Sequence, residues 1–226
     1  MHGLYRYPEK AKFGKIIPKA KIYEHAKLKP AQKAKFVELI QQIRWAYKLA
    51  SHTTNLPVTN EVKEIQILRI RITRRELPDD ILYLIDSAIP SMVIFELINS
   101  GLIRVKTAPK MRKTERTRRA PKGIYFASDW MDMESKRSDL PQAINLGNLY
   151  DKLLNGLLNP EACSDKEVPK SSSQLAVYQK EIRAKETEIT KIKQKLRRTR
   201  QFNKKQEINS MLKKAKSDLE RLLKTY

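Results

Sequence analysis

The sequence predicts an α+β fold, a small mixed sheet with packed helices, followed by a C-terminal antiparallel helical hairpin of coiled-coil type. Three observations predict it. Residues 61–104 combine high apolar density with nearly balanced charge and read as strand, helix, strand. After residue 173 the chain changes to heptad spacing. Between the two lies a stretch of prolines, charges and the triplet Ser171, Ser172, Ser173, which has the composition of a linker.

The hub is the clearest part. In 62–72, Ile65 and Ile67 are followed one register later by Leu68, Ile70 and Ile72, so the apolar face switches midway, as at a bulge or in a strand covered on both sides. Leu77 and Pro78 then open a helix for which Asp79 suits the N-cap, with Ile81, Leu82, Leu84, Ile85 and Ala88 as its stripe and Pro90 as its end. Residues 92–98 are almost wholly apolar and stop at the turn signal Asn99, Ser100, Gly101. A third strand over 102–107 runs into a basic loop, and a short strand over 123–127 with Tyr125 and Phe126 leaves it, so the loop is the tip of a hairpin.

On the N-terminal side, Phe36, Leu39, Ile40, Ile43 and Tyr47 form one stripe of a helix expected from Lys29 and Pro30 to about Ala50. A further helix is expected over 140–158, where Ile144, Leu146, Leu149, Leu153 and Leu157 are apolar and Pro160 follows. In the C-terminal part, Leu175, Tyr178, Ile182, Lys185, Ile189, Ile192 and Leu196 make a heptad seam with one polar position. The seam resumes at Lys205, Ile208, Leu212, Ala215, Leu219, Leu222 and Tyr226, offset by two residues, which on one continuous helix turns the stripe by roughly 200° to the opposite face. A break near 200–203 follows, with Asn203 as a candidate cap and Gln206 at capping-box spacing. A long dimeric coiled coil is the alternative. The organisation is thus a basic aromatic arm (1–29), an α+β domain (30–160) with a basic loop (108–122), a linker (161–173) and the helical hairpin (174–226).

Charge bears most directly on function. The net charge is +22, and it is segregated. Ten Lys and Arg against two acids give +8 in residues 1–35, nine against one give +8 in 104–122, and sixteen against six give +10 in 174–226, while 36–103 and 123–173 stand at −1 and −3. A neutral core with basic extensions points to a polyanionic partner, and nucleic acid is the commonest one, DNA being favoured here over RNA. The residues expected to hold phosphates are Lys106, Lys110, Arg112, Lys113, Arg116, Arg118, Arg119 and Lys122 in the loop, and Arg197, Arg198, Arg200, Lys204 and Lys205 at the hairpin turn. In the arm, Tyr5, Tyr7, Phe13 and Tyr23 alternate with Arg6, Lys10, Lys12, Lys15, Lys19 and Lys21, a mixture suited to phosphate contact plus base stacking. The bland reading of these segments is a solvated loop, and aromatics that merely tie an arm to the core.

Catalytic signatures are mostly lacking: there is no phosphate-cradling Gly-rich loop, no His-Glu-x-x-His and no Gly-x-Ser-x-Gly, and the whole chain has six glycines. His2, His25 and His52 have no second ligand at zinc spacing, so neither a metal nor another cofactor is expected. Glu96 stands out because it lies inside the apolar run 92–98, where an unpaired carboxylate is costly. It is either paired with a lysine or arginine or placed at the sheet edge, or the chain is a divergent metal-dependent nuclease using Glu61, Glu64, Asp86 or Glu96. The Glu-x-Lys pattern of restriction-type nucleases does not follow it. The single Cys163 fits a reducing cytoplasm, and no run is apolar enough to span a membrane.

A family resemblance accompanies these readings. The run from Phe13, Gly14, Lys15, Ile16, Ile17 and Pro18 to Tyr23, Glu24, His25 and Ala26 is similar to a prokaryotic family of unknown function. So are Trp45 to Leu49, Glu64 to Ile67, Ile89 to Leu97, and Gln201 to Asn209. The resemblance implies an accessory subunit of an antiviral, restriction-like defence system, encoded beside and docking to a helicase or DNA methyltransferase. It implies no activity and no site residues.

Overall fold

The computed structural model describes residues 3–110, 125–158, 172–199 and 201–224. The chain divides into two compact units, Met1–Ser173 and Gln174–Tyr226. The fold is α+β, with a mixed sheet in the first unit and two packed helices in the second.

Strands β1 (Tyr5–Arg6) and β2 (Lys12–Ile16) are followed by helices α1 (Lys19–Ala26) and α2 (Pro30–Leu39), strand β3 (Ile40–Ala50) and the short helix α3 (Ser51–Thr54). The hub is β4 (Glu64–Ile72), α4 (Asp79–Ala88), β5 (Met92–Asn99) and β6 (Leu102–Thr107). Strands β7 (Phe126–Ala127), β8 (Met131–Asp132) and β9 (Ser138–Asp139) lead to helix α5 (Leu146–Leu158). The main sheet runs β2-β3-β4-β5-β6-β7, with β8 also on β6, and β1 pairs separately with β9. Within the main sheet β4 and β5 pair in parallel with α4 as their crossover, and the separate pair β1 and β9 is parallel as well.

The expected strand, helix, strand hub is present, and the apolar switch in β4 reflects cover on both faces, since β4 keeps an unbroken register with β5 and the nearby bulge belongs to β3. Ile65, Gln66, Ile67 and Leu68 are all buried, so the strand is covered on both faces. A register shift also lies between Trp45 and Tyr47 of β3, opposite Leu68 and Ile67. One face carries Leu68, Ile70, Ile72, Val93, Phe95 and Leu97 into a core shared with α1, α2 and α4. The other carries Glu96 and, through Thr107, the buried Tyr150 of α5, whose hydroxyl lies 3.1 Å from that of Thr107. Ser100 and Gly101 both take positive φ between β5 and β6, the requirement of a tight two-residue hairpin turn.

Three element readings are corrected. The helix expected over 30–50 stops at Leu39, and Ile40 starts the longest strand of the sheet. The reason is a pair of β-bulges, between Ile40 and Gln42 and between Trp45 and Tyr47. Each inserts one residue, so burial recurs at Ile40, Ile43, Ala46 and Leu49, every third position, imitating helical spacing. Helix α5 begins at Leu146 rather than 140, leaving Ile144 exposed. Pro78, not Asp79, is the N-cap of α4; Asp79 is its first residue.

In the second unit α6 (Ser172–Arg198) and α7 (Phe202–Lys224) pack together. Among the described side chains, Ile182 and Ile189 on α6 and Ile208 and Ala215 on α7 are buried, all four from the heptad seams. The polar seam position, Lys185, reaches across to Asp218 at 3.4 Å and along its own helix to Glu188 at 3.0 Å. Asn203 is not a cap, since helix α7 already includes Phe202.

Candidate nucleic-acid interface

The hairpin turn is built by the ends of α6 and α7. Thr199 closes α6 by donating its hydroxyl to the Lys195 carbonyl at 2.8 Å, and α7 starts with the Lys205 N–H on the Gln201 carbonyl at 3.0 Å. Arg197, Arg198, Lys204 and Lys205 are all exposed here; Arg200 lies outside the described residues. Cations in the last turn of α6 sit at the negative end of its dipole, where they stabilise the helix. Lys204 and Lys205 do the opposite. They occupy the first turn of α7, the positive end of its dipole, and no acid accompanies them there. Helix stability therefore accounts for the first pair and not for the second.

The loop cations divide. Arg112, Lys113, Arg116, Arg118, Arg119 and Lys122 lie outside the described residues. Lys106 and Lys110, at the loop's root, are turned inward. The Lys106 ammonium donates to Asp79 at 2.6 Å. That of Lys110 donates to the carbonyls of Asp86, Ile89 and Ser91 at 2.9, 2.6 and 2.6 Å. Those three bonds use all its protons. Its 2.9 Å approach to Asp86 Oδ1 is then an electrostatic contact rather than a hydrogen bond. Burial pushes the Asp86 carboxyl above its ordinary value, against the lowering effect of Lys110. Tyr125 donates to the other Asp86 oxygen at 3.0 Å, and burial with that carboxylate pushes its phenol up. The two ends of the basic loop are thus tied to one buried acid.

The residues read as an arm enter the sheet. Strand β2 forms its free edge against β3, exposed along all five residues. Helix α1 follows, anchored by Ile22 in the core and by the Lys19 ammonium on the Ile40 carbonyl. Phe13 packs on Trp45 with ring centroids 4.3 Å apart, and Lys15 Nζ stands 5.0 Å from the Phe13 ring. Tyr7, by contrast, is buried against Tyr47 at 4.9 Å. Sequence alternation of basic and aromatic residues signals this surface, but it cannot tell the outward Phe13 from the inward Tyr7.

Of the four acids weighed as nuclease ligands, three are engaged by other side chains. Glu96 is 0 % exposed and is gripped by Arg69 Nε at 2.5 Å and Arg137 Nη1 at 2.9 Å, one guanidinium on each oxygen. Glu64 accepts from Lys48, Ser91 and Gln66 at 2.7, 2.5 and 2.8 Å. Asp86 is committed as above, and Glu61 is exposed. Among the described residues no three His, Cys, Asp or Glu gather as metal ligands. Among the same residues no helix is long and apolar enough to cross a membrane.

The class these features define is a basic α+β domain with a sheet edge left open, joined to a helical hairpin whose turn is cationic. The chain belongs to the family described as a domain of unknown function, DUF4391, whose model matches residues 6–219 and so extends over both units. Comparison with curated proteins and with solved structures found no match.

Proposed function

We propose that this chain is a nucleic-acid-binding accessory subunit of an antiviral defence system that works with a helicase or DNA methyltransferase. It holds the phosphate backbone through its basic segments and leaves catalysis to the partner. The defence setting rests on the family resemblance of the sequence; the binding rests on the molecule. The single observation that carries it is the pair Lys204 and Lys205, exposed at the positive end of the α7 dipole with no acid in that first turn. A polyanion at the turn relieves that repulsion, and Arg197 and Arg198 complete the patch.

The test sets stability against binding. Lys204→Glu with Lys205→Glu is expected to raise hairpin stability by about 0.3–1 kcal/mol per site through the dipole. The same variant is expected to weaken duplex DNA binding and to flatten its salt dependence, whose slope is about −0.9 per phosphate contacted. Anisotropy titrations from low to physiological salt, beside thermal melts, measure both. Unchanged affinity and slope in the stabilised variant remove the turn from the binding surface. Co-purification of a helicase or methyltransferase subunit with the tagged chain from its host tests the second half of the proposal.

A further inference from the structure

We propose that the groove between β2 and α1 is a base-binding pocket. An unstacked base of a single-stranded nucleic acid lies there against Phe13 and Trp45, while Lys15 and Lys21 hold the flanking phosphates. This deepens the nucleic-acid reading above, and rests on it, by naming the form of strand that is bound.

The groove has a volume of about 410 Å³, within the range of small-ligand sites. Phe13 and Trp45 supply its aromatic wall, Ile89 and Pro90 an apolar one, and Lys15 and Lys21 cations. None of its lining residues is acidic. The backbone is shaped for this. Lys12 pairs with Tyr47 and Lys15 with Trp45, so β2 spends three steps where β3 spends two. Gly14 takes φ +70° at that bulge. The result brings Lys15 over the Phe13 ring at 5.0 Å and leaves Phe13 as a residue 39 % exposed.

Edge protection is the plainer account of this strand, because lysines and a bulge are the devices that keep a free sheet edge from pairing with another chain. It explains Lys12, Lys15 and Gly14. It does not explain Phe13 or Ile16, which is 55 % exposed on the same five-residue edge, since protected edges avoid large apolar side chains. The Trp45 indole N–H, shielded from solvent, also has no acceptor among the described residues, and a buried unpaired donor in a groove is open to a ligand's acceptor. An aromatic shelf ringed by cations with no carboxylate is complementary to a base between two phosphates. Stacking on such shelves is sequence-tolerant and contributes about 1–3 kcal/mol per base.

The experiment uses the full chain and three labelled probes of equal length: a mixed-sequence DNA single strand, its duplex, and an abasic strand that keeps the phosphates without the bases. Phe13→Ala is expected to weaken single-strand binding about tenfold or more while leaving the abasic strand and the duplex unaffected. Phe13→Tyr, which keeps the stacking face, is expected to restore it, and this separates lost stacking from a disturbed edge. In a Trp130→Phe background, which leaves Trp45 as the sole tryptophan, the single strand is expected to quench emission and the abasic strand is not. Equal losses on the normal and abasic strands in Phe13→Ala, or unquenched Trp45 with the single strand bound, overturn the pocket and leave the phosphate reading standing. Wild-type protein that binds none of the three probes overturns both.

Discussion

Glu96 is a buried acid held by two arginines. It lies on β5 with both oxygens engaged, and its partners are not equally buried: the Arg69 and Arg137 side chains are partly exposed, so each retains water when the carboxylate is removed. The carboxylate is fully buried, and without Arg69 it keeps Arg137 alone against the cost of burial. Removing one partner of a buried ion pair costs about 3–5 kcal/mol, because an uncompensated charge stays behind. Arg69→Ala is therefore expected to be markedly more destabilising than Glu96→Gln in urea unfolding, with the ordering checked from the midpoints at unchanged slope. Equal losses would place the arginine's contribution in its packing over the Tyr47 ring, 5.5 Å away, rather than in the ion pair. Glu96→Gln is also expected to leave nucleic-acid binding intact, since the residue is sealed inside the domain.

At the scale of elements, the helical hairpin and the sheet are stabilised differently. Ile189 is one of the buried positions of the seam of α6 and α7 and so contributes to the hairpin's stability. Ile189→Asp places an unpaired charge among them and is expected to unfold residues 174–226 while the first unit persists, as read by limited proteolysis. Degradation of the whole chain as one would mean that the units do not fold independently. The loop's root belongs to the sheet: Ala108 is part of the core cluster, and Lys110 reaches the carbonyls at the end of α4. An excision of the basic loop that starts at Ala108 thus cuts into the core.

Across the whole molecule, two buried or half-buried acids respond to pH with opposite sign. For Glu64, burial alone raises the pKa, but hydrogen bonds from Lys48, Ser91 and Gln66 outweigh it and hold the carboxyl below its ordinary 4.5. The unfolded chain then binds the proton more readily, so this contribution is complete above 4.5 and is lost as pH falls through the folded value. Asp86, raised above 3.8 by burial, binds its proton more readily when folded, so its ionisation works against the fold and its protonation favours it. Glu64→Gln is expected to make the acid limb of a stability-against-pH curve shallower below 4.5, and Asp86→Asn to make it steeper. A Glu64→Gln curve parallel to wild type would show that the three hydrogen bonds do not favour the ionised form.

What the sequence determined by itself is what depends on near neighbours. The apolar density of 61–104 marked the buried hub, the stop at Asn99, Ser100 and Gly101 marked a turn only positive φ can make, and the two-residue offset between the seams required a break in the C-terminal helix. The segregation of charge was equally plain. Tertiary structure alone decided the rest, because each remaining case turns on a partner distant in the chain. Residues 40–50 became a strand only through pairing with β4, and the two bulges that this pairing demanded disguised its period as helical. Lys106 and Lys110 count as loop cations in sequence, yet Asp79 and the carbonyls after α4 draw them inward. Phe13 and Tyr7, alike in a basic aromatic run, were separated by the sheet edge, which opens one ring to solvent and closes the other over Tyr47. Local pattern sets which elements form, and burial against remote segments sets which of their polar and aromatic groups are left to meet a ligand.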